Sequence, residues 1–423
     1  MIEMKNISIL FLINSLSGGG AERNAVSLAN LFKKNGYRTV VVCTESKKND
    51  YGLDDAIPLR LIRYSDSERY KKLLDITKEF CINVVILTNH WQYDNFKDIN
   101  WFKTQNIKVI AQEHSMFFFP LYTNQYSLFK ERLEAYKKVD ILTCLSKMDV
   151  HLWKLSGIYQ ACYLPNLAPV IEDIAISLDF RSRDDMIIII GKFLEIKGLY
   201  KLPYYLEKMH KLSPSTKFCL FGNFASKLDK LWFFYELRKR KLFDFVEWHA
   251  FNPNVIQFIK KAKLLFIPSQ IEGSPMIILE ARQSRTPCLM FGLNYIDNAS
   301  NGVLHVDCEE EFIQKVDMLL HDEIYWTRWA KDTQSNLEKW QELSILSKWE
   351  TLFSKIYDCS YDGTNNQANE QFEAVLAMKE FYRAIDFISI HQSRRINLKK
   401  SSSLLDLIFF IRRIKSFFTK MHH

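Results

Sequence analysis

The sequence predicts two α/β domains that face each other, each built on a doubly wound parallel sheet of the Rossmann type. Short, continuously apolar segments alternate with amphipathic ones, which is typical of parallel strands covered by helices on both faces. This alternation runs through the first 165 residues, breaks, and then begins again. The length of 423 residues is sufficient for two domains with separate cores.

Ten segments have the character of buried strands, five on each side of the break. They are ISILFLI, RTVVVCT, NVVILT, KVIAQ and DILTCLS, and then MIIIIG, KFCLFG, DFVEWHA, AKLLFIPS and TPCLMF. The break, YLPNLAPVIEDIAISLDFRSRDD, is rich in proline and charge, as linkers are. We therefore expect a first domain over residues 1–168, a second over 183–343, a closing helix and hinge over 344–365, and a basic amphipathic extension over 366–423.

The composition is that of an ordinary globular protein. Hydrophobic residues make up 48% of the chain and charged residues 25%. The apolar runs are shorter than the roughly 18 residues of a spanning helix, and the run near the start fits a first strand better than a signal peptide. The eight cysteines are scattered without a C-x-x-C, so we expect reduced thiols in a cytoplasmic protein, and neither disulfides nor a zinc site.

The net charge of +8 is concentrated at the carboxyl-terminal end. Residues 394–423 hold eight lysines and arginines against a single acid, Asp406. On a helical wheel, LLDLIFFIRRIKSFFTKMHH has an apolar face opposite a basic one. This pattern favours an interfacial anchor on an anionic membrane surface. The alternatives are a solvated helix, a partner-binding helix, or contact with nucleic acid, which we do not expect because the rest of the chain is not basic.

Two glycine- and lysine-containing loops follow predicted strands. In NSLSGGGAERNAVSLAN, Gly19 and Gly20 precede a helix whose first N–H groups could bind phosphate, although such a loop can also be a simple tight turn. The loop is neither a complete G-x-G-x-x-G fingerprint nor a P-loop, which disfavours a nicotinamide oxidoreductase. In GKFLEIKG, Lys192 and Lys197 could neutralise a diphosphate or lie solvated on the surface.

The segment IEGSPMIILEA carries the most specific pattern. It places Glu272 before a predicted helix start and Glu280 two turns into the helix. Each carboxylate can accept hydrogen bonds from a vicinal diol, or can be a solvated or helix-terminal charge. Gly273 and Ser274 suit the turn, Pro275 suits the first helical turn, and Met276 follows it. The free backbone N–H groups of this helix start could hold phosphate oxygens.

In this order and spacing, LSGGGAERNAVSLANLFKKNG, IIIIGKFLEIKG and PSQIEGSPMIILEA resemble the family-4 glycosyltransferases of the GT-B fold. The resemblance covers about residues 7–357. It implies that Glu280 binds the nucleotide ribose, Glu272 the donor sugar and Lys197 the diphosphate. AQEHSM matches a family position where a histidine lies beside the donor sugar, which points to His114. A histidine packed at a strand end is the alternative.

Three departures from the family pattern are present. Lysine stands at position 192 where arginine is common, Leu167 follows Asn166 where glycine is usual, and Arg285 occupies another usual glycine position. None of them removes a donor-site group. We therefore expect an active enzyme.

The resemblance implies a retaining transferase of bacterial surface-polysaccharide synthesis. We expect a nucleotide-sugar donor with uridine as its base, a glycan or lipid-linked acceptor, and a peripheral location on the inner face of the cell membrane. No D-x-D occurs in the chain, so no metal and no cofactor are expected. The alternatives are a catalytically silent GT-B scaffold in a polysaccharide-assembly complex and a nucleotide-sugar epimerase.

Overall fold

A computed structural model of the chain describes residues 6–88, 93–123, 125–169, 178–357 and 370–395. Thirteen strands in these ranges form two parallel sheets. The first sheet contains β1 (Ser8–Ile13), β2 (Arg38–Cys43), β3 (Leu59–Leu61), β4 (Val84–Leu87), β5 (Lys108–Glu113), β6 (Ile141–Cys144) and β7 (Ala161–Tyr163). The second contains β8 (Asp184–Ile190), β9 (Lys217–Phe221), β10 (Val246–His249), β11 (Ala262–Ile267), β12 (Cys288–Phe291) and β13 (Val303–Val306).

Helices connect the strands of both sheets and follow the last strand. In the first half they are α1 (Gly20–Lys34), α2 (Arg69–Glu79), α3 (Tyr93–Thr104), α4 (Phe119–Tyr122), α5 (Ser127–Tyr136) and α6 (Lys147–Leu155). In the second half they are α7 (Leu202–Leu212), α8 (Lys227–Lys239), α9 (Ile256–Ile259), α10 (Met276–Gln283), α11 (Glu309–His321), α12 (Glu323–Asp332), α13 (Glu342–Tyr357) and α14 (Glu370–Arg395).

The strand orders confirm the predicted fold class. The first sheet has the order β3-β2-β1-β4-β5-β6-β7 and the second β10-β9-β8-β11-β12-β13, and the paired strands run parallel throughout. In both sheets the order reverses next to the first strand. Ligands of doubly wound sheets bind at this reversal, outside the carboxyl ends of the strands.

Strand β1 shows why its sequence is apolar at every position. Leu10 and Leu12 enter one buried cluster, whereas Ile9 and Phe11 enter another on the opposite face of the sheet. Each of these side chains is at most 3% exposed. Burial of such a side chain contributes about 1.5–3 kcal/mol relative to exposure, so both helical layers stabilise the sheet.

The last two helices return to the first domain. Trp349 and Phe353 of α13 pack against Phe32 of α1 with ring centroids 5.4 and 5.6 Å apart. Helix α14 packs against α4 and α6, with Ala377 and Ala384 buried in the contact.

The predicted domain limits remain predictions, and the predicted apolar and basic faces after residue 395 lie outside the described residues. In the ranges given above, no helix combines the length and the hydrophobicity needed to cross a bilayer.

Candidate active site

The second-domain part of the candidate site lies where β8 and β11 end side by side. Because the two strands are neighbours, the loop that carries Lys197 meets the loop that carries Glu272. The backbone N–H of Gln270 donates to the carbonyl of Ile196 over 2.9 Å and joins the two loops directly. Gly198 has φ +82°, and a Cβ there would overlap the Pro268 carbonyl, so glycine permits this close approach.

The Glu272 carboxylate is held by two side chains. Lys197 Nζ donates to Oε2 over 2.6 Å, and the Ser269 hydroxyl donates to Oε1 over 2.6 Å. The side chains of Lys197 and Glu272 are 31% and 12% exposed, so the ion pair is reachable from solvent. Each carboxylate oxygen has a second lone pair, and the ammonium has two further protons. Both groups can therefore bind a ligand without breaking the pair.

Tyr295 holds the backbone of Glu272. Its hydroxyl donates to the Glu272 carbonyl over 2.6 Å and lies 3.5 Å from Met116 Sδ in the first domain. Burial raises the pKa of the Tyr295 phenol well above its ordinary value, with Glu380 and Asp149 adding to the effect. The hydroxyl thus stays protonated and remains a hydrogen-bond donor.

His114 follows β5 and faces the Glu272 loop from the first domain. A Cβ on Gly273 would overlap the carbonyl of His114, so the glycine allows the two backbones to touch. The loop after β5 is held by Glu113, which accepts hydrogen bonds from Arg132 and, over 2.8 Å, from the Tyr136 hydroxyl. Its other oxygen accepts from the Ser115 hydroxyl over 2.6 Å.

The start of α10 lies between the two domains. Helix α10 begins at Met276, and Pro275, which the sequence analysis expected in the first turn, precedes the helix with an extended backbone. The Ser274 carbonyl accepts a hydrogen bond from Asn166 of the first domain over 3.3 Å. A Cβ on Gly20 would lie 3.1 Å from Met276 Cγ, which brings the glycine loop of the first domain against α10.

Glu280 meets a residue that the sequence analysis did not assign. Its carboxylate is almost fully buried and forms an ion pair with Arg23, in the first turn of α1. Both glutamates thus face the first domain or the gap beside it. Arg23 could have been found from the sequence, because it follows the glycine loop by three residues. No sequence pattern points to Ser269 or Tyr295.

Gly19 and Lys192 do not join this group. Gly19 is the residue immediately before α1 and has an extended backbone. Lys192 is exposed, and no ion pair or hydrogen bond links its side chain to the described part of the chain. The structure therefore brings together Glu272, Lys197 and the His114 backbone.

Two departures from the family pattern are accommodated locally. Leu167 is buried, and its N–H donates to Asn24 Oδ1 over 2.9 Å. Arg285 takes the left-handed conformation, with φ +52°, directly after the last turn of α10. The helix therefore ends where the usual glycine would end it, although an L side chain is strained there.

Comparisons with known proteins bear on the family likeness and on the fold. Residues 170–336 match the family model described as Glycosyl transferases group 1. An uncharacterised glycosyltransferase of Haemophilus influenzae is 22% identical over 380 residues, with 82% of this chain and 100% of that protein covered. A Campylobacter jejuni protein is 22% identical over 372 residues, with 83% and 99% covered; it is named GalNAc-alpha-(1->4)-GalNAc-alpha-(1->3)-diNAcBac-PP-undecaprenol alpha-1,4-N-acetyl-D-galactosaminyltransferase.

A solved structure extends the likeness to both domains. The crystal structure of Anabaena Alr3699/HepE in complex with UDP and glucose gives a TM-score of 0.69 at 13% identity, with 82% of this chain and 100% of that chain covered. The fold is that of the GT-B glycosyltransferases. The family match over residues 170–336 and the GT-B fold together show what this chain is similar to.

Proposed function

We propose that the chain transfers a hexose or N-acetylhexosamine from a UDP-sugar, with retention at the anomeric carbon, to a glycan or lipid-linked acceptor in cell-surface polysaccharide synthesis. The solved neighbour that holds UDP and glucose supports a uridine donor. The Campylobacter relative, whose name describes an undecaprenol-linked glycan, supports the acceptor class.

The observation that carries this proposal is the ion pair of Glu272 with Lys197 beside the loop of His114. The pair offers a carboxylate that can accept sugar hydroxyls and an ammonium that can bind a phosphate oxygen within one small, partly exposed region. Glu280 lies two helical turns further along the chain, and its carboxylate can accept hydrogen bonds from the hydroxyls of a ribose.

In the proposed reaction the bond between the anomeric carbon and the β-phosphate oxygen breaks, and the acceptor oxygen bonds to the same carbon from the same face. The acceptor proton passes to the departing phosphate oxygen, so the reaction needs no protein nucleophile. Lys197 acts on the negative charge that grows on the leaving diphosphate. Such an interaction lowers the barrier because it is stronger in the transition state than in the bound substrate.

We further propose that this chemistry requires no metal ion. Lys197 and the N-terminal ends of α1 and α10 supply positive charge and free N–H groups toward the diphosphate. Transfer should therefore continue at an undiminished rate after dialysis against EDTA. A rate that falls with EDTA and recovers with Mg²⁺ or Mn²⁺ would refute this part of the proposal.

Substitutions of the site residues test the assignment. We expect Lys197→Ala to lower kcat by about 100-fold or more, because removal of one charge-stabilising donor commonly has an effect of that size. Glu272→Gln should lose most transfer, and Glu280→Gln should chiefly raise the donor KM. Initial rates with a panel of UDP-sugars and a lipid-linked acceptor measure these effects.

Lys201→Ala is the matched control, since Lys201 is an exposed lysine four residues after Lys197. It should leave the rates unchanged. Near-normal transfer by Lys197→Ala and Glu272→Gln would contradict the proposal. Turnover of the nucleotide sugar without an acceptor to an epimeric sugar would favour an epimerase, and no turnover of any kind would favour a silent scaffold.

A further inference from the structure

The ion pair between Arg23 and Glu280 joins residues that belong to opposite domains. Arg23 lies in the first turn of α1, and Glu280 lies on α10. The Glu280 side chain is 2% exposed and that of Arg23 is 20% exposed. Within the described residues, no hydrogen bond from another side chain or from the backbone reaches Glu280 Oε1.

The surroundings of Arg23 are also built from both domains. Its guanidinium lies 5.7 Å from the centre of the Tyr51 ring, and that ring contacts Phe251 of the second domain at 6.1 Å. The next residue, Asn24, is buried and accepts the Leu167 N–H. Asn24 thus anchors the first turn of α1 within the first domain, and Tyr51 links the surroundings of Arg23 to the second.

A buried carboxylate needs such a partner. Without one, burial favours the neutral acid, which offers fewer acceptor positions than the ion. The Arg23 guanidinium is charged at all physiological pH values, and its nearest contact on the carboxylate is with Oε1. The other oxygen of Glu280 is left for a second partner.

We propose that Arg23 is a positioning residue for the donor nucleotide: through Oε1 it keeps Glu280 ionised and oriented, so that Oε2 accepts hydrogen bonds from the ribose hydroxyls. This inference rests on the proposed function, in which Glu280 binds ribose. Since the pair crosses the domain boundary, Glu280 is in its binding orientation only when the domains are closed. Recognition of the ribose is thus coupled to closure.

The test compares nucleotides with and without ribose hydroxyls. Dissociation constants are measured calorimetrically for UDP, GDP and ADP, each beside its 2′,3′-dideoxy form. For the preferred base, the wild-type protein should bind the ribonucleotide about tenfold or more tightly than the dideoxy form, as expected when hydrogen bonds to a charged group are lost. Arg23→Gln should lose most of this preference by weakening the ribonucleotide alone, and Arg23→Lys should restore part of it.

Two further variants separate the possible outcomes. Lys34→Gln is the control on the same helix, because Lys34 pairs with Glu342 over 2.7 Å at the other end of α1, and it should keep the full preference. Thermal unfolding shows whether each variant is folded. If Arg23→Gln does not fold, Arg23→Lys replaces it in the comparison with the wild type. Loss of the preference in Glu280→Gln but not in Arg23→Gln would overturn this inference alone.

Tighter ribonucleotide binding by Arg23→Gln would also overturn it, because Arg23 would then compete with ribose for Glu280. Equal binding of the two nucleotide forms by the wild-type protein would instead refute the role of Glu280 in the proposed function, and this inference with it.

Discussion

Asp149 is a buried carboxylic acid that helps to hold the loop carrying His114. Its Oδ1 accepts the Phe117 N–H over 2.7 Å, and its Oδ2 lies 2.7 Å from the Ser146 hydroxyl. Burial raises its pKa from the ordinary 3.8 to about 7, although both hydrogen bonds act in the opposite direction. The folded protein therefore holds a proton on Asp149 at pH values where the unfolded chain has released it.

This difference predicts a pH-dependent stability. Because the folded state binds the extra proton, the contribution of Asp149 to the free energy of unfolding falls as pH rises from about 4 to about 7. Asp149→Asn keeps both hydrogen bonds and removes the titration. Between pH 5 and pH 8 we expect the variant to gain on the wild type by about 2–3 kcal/mol, because each of the roughly two pH units from 5 to 7 contributes about 1.4 kcal/mol.

Urea denaturation at both pH values measures the difference between the two proteins. Because other titrating groups are common to both, they cancel in the comparison. A difference that is the same at pH 5 and pH 8 would contradict the assigned titration.

At the scale of single elements, the end of α10 shows a local strain that the sequence indicated. The family comparison placed Arg285 at a usual glycine position, and the residue has a left-handed backbone with φ +52°. The backbone carbonyl of Arg285 accepts a hydrogen bond from the Arg183 guanidinium over 3.4 Å. Any residue at this position would provide the same carbonyl. The side chain is therefore not what determines this helix end.

Arg285→Gly should stabilise the protein by about 0.5–1 kcal/mol, because glycine adopts this conformation without the strain of a Cβ. Chemical denaturation measures the change. Arg285→Ala is the matched control, since it removes the guanidinium and keeps the Cβ, and it should give no such gain. Equal gains in both variants would show that the charge, and not the backbone, destabilises this position.

The strands also show what the sequence could predict. All ten predicted strands are present, and nine of them are runs of mainly apolar, buried residues; β10 (VEWH) is an edge strand in which only Val246 is buried. The strands β3, β7 and β13 were missed. All three are edge strands of three or four residues, and β3 (LRL) is only half-buried, so no apolar run marks it.

The sequence predicted the site less fully than the fold, because the site depends on contacts between residues far apart in the chain. Glu272, Lys197 and His114 could be found because each follows an apolar strand within a short, ordered motif. The partners of these residues come from distant parts of the chain. Tyr295 reaches Glu272 only after the second sheet has formed, and Arg23 reaches Glu280 only when the two domains are together.

At the scale of the whole molecule, several contacts favour a closed arrangement. Tyr163 of the first domain donates to Asp297 of the second, and Asn166 donates to Ser274. Helix α14 adds a further link, because Phe381 packs on Phe118 at 5.9 Å while Arg383 lies beside Gly292. Opening of the cleft must break these contacts together with the Arg23 pair.

We also predict a membrane contact at the carboxyl-terminal end, on the basis of the sequence. Deletion of residues 394–423 should release the protein from phosphatidylglycerol vesicles, because it removes eight cationic residues and the apolar face predicted from the helical wheel. Ile411→Gln with Ile414→Gln keeps every charge and should also weaken binding. Binding is measured by co-sedimentation with these vesicles. Phosphatidylcholine vesicles, which carry no net charge, are the reference. Unchanged sedimentation of the truncated protein would exclude this segment as the anchor.

The central claim is that a nucleotide sugar binds between the two domains, with its ribose on Glu280 and its diphosphate near Lys197. A crystal structure of the protein with UDP tests this most directly. We expect the ribose hydroxyls within hydrogen-bonding distance of Glu280 and a phosphate oxygen within reach of Lys197 Nζ. A nucleotide bound elsewhere, or one whose ribose faces away from Glu280, would contradict the account.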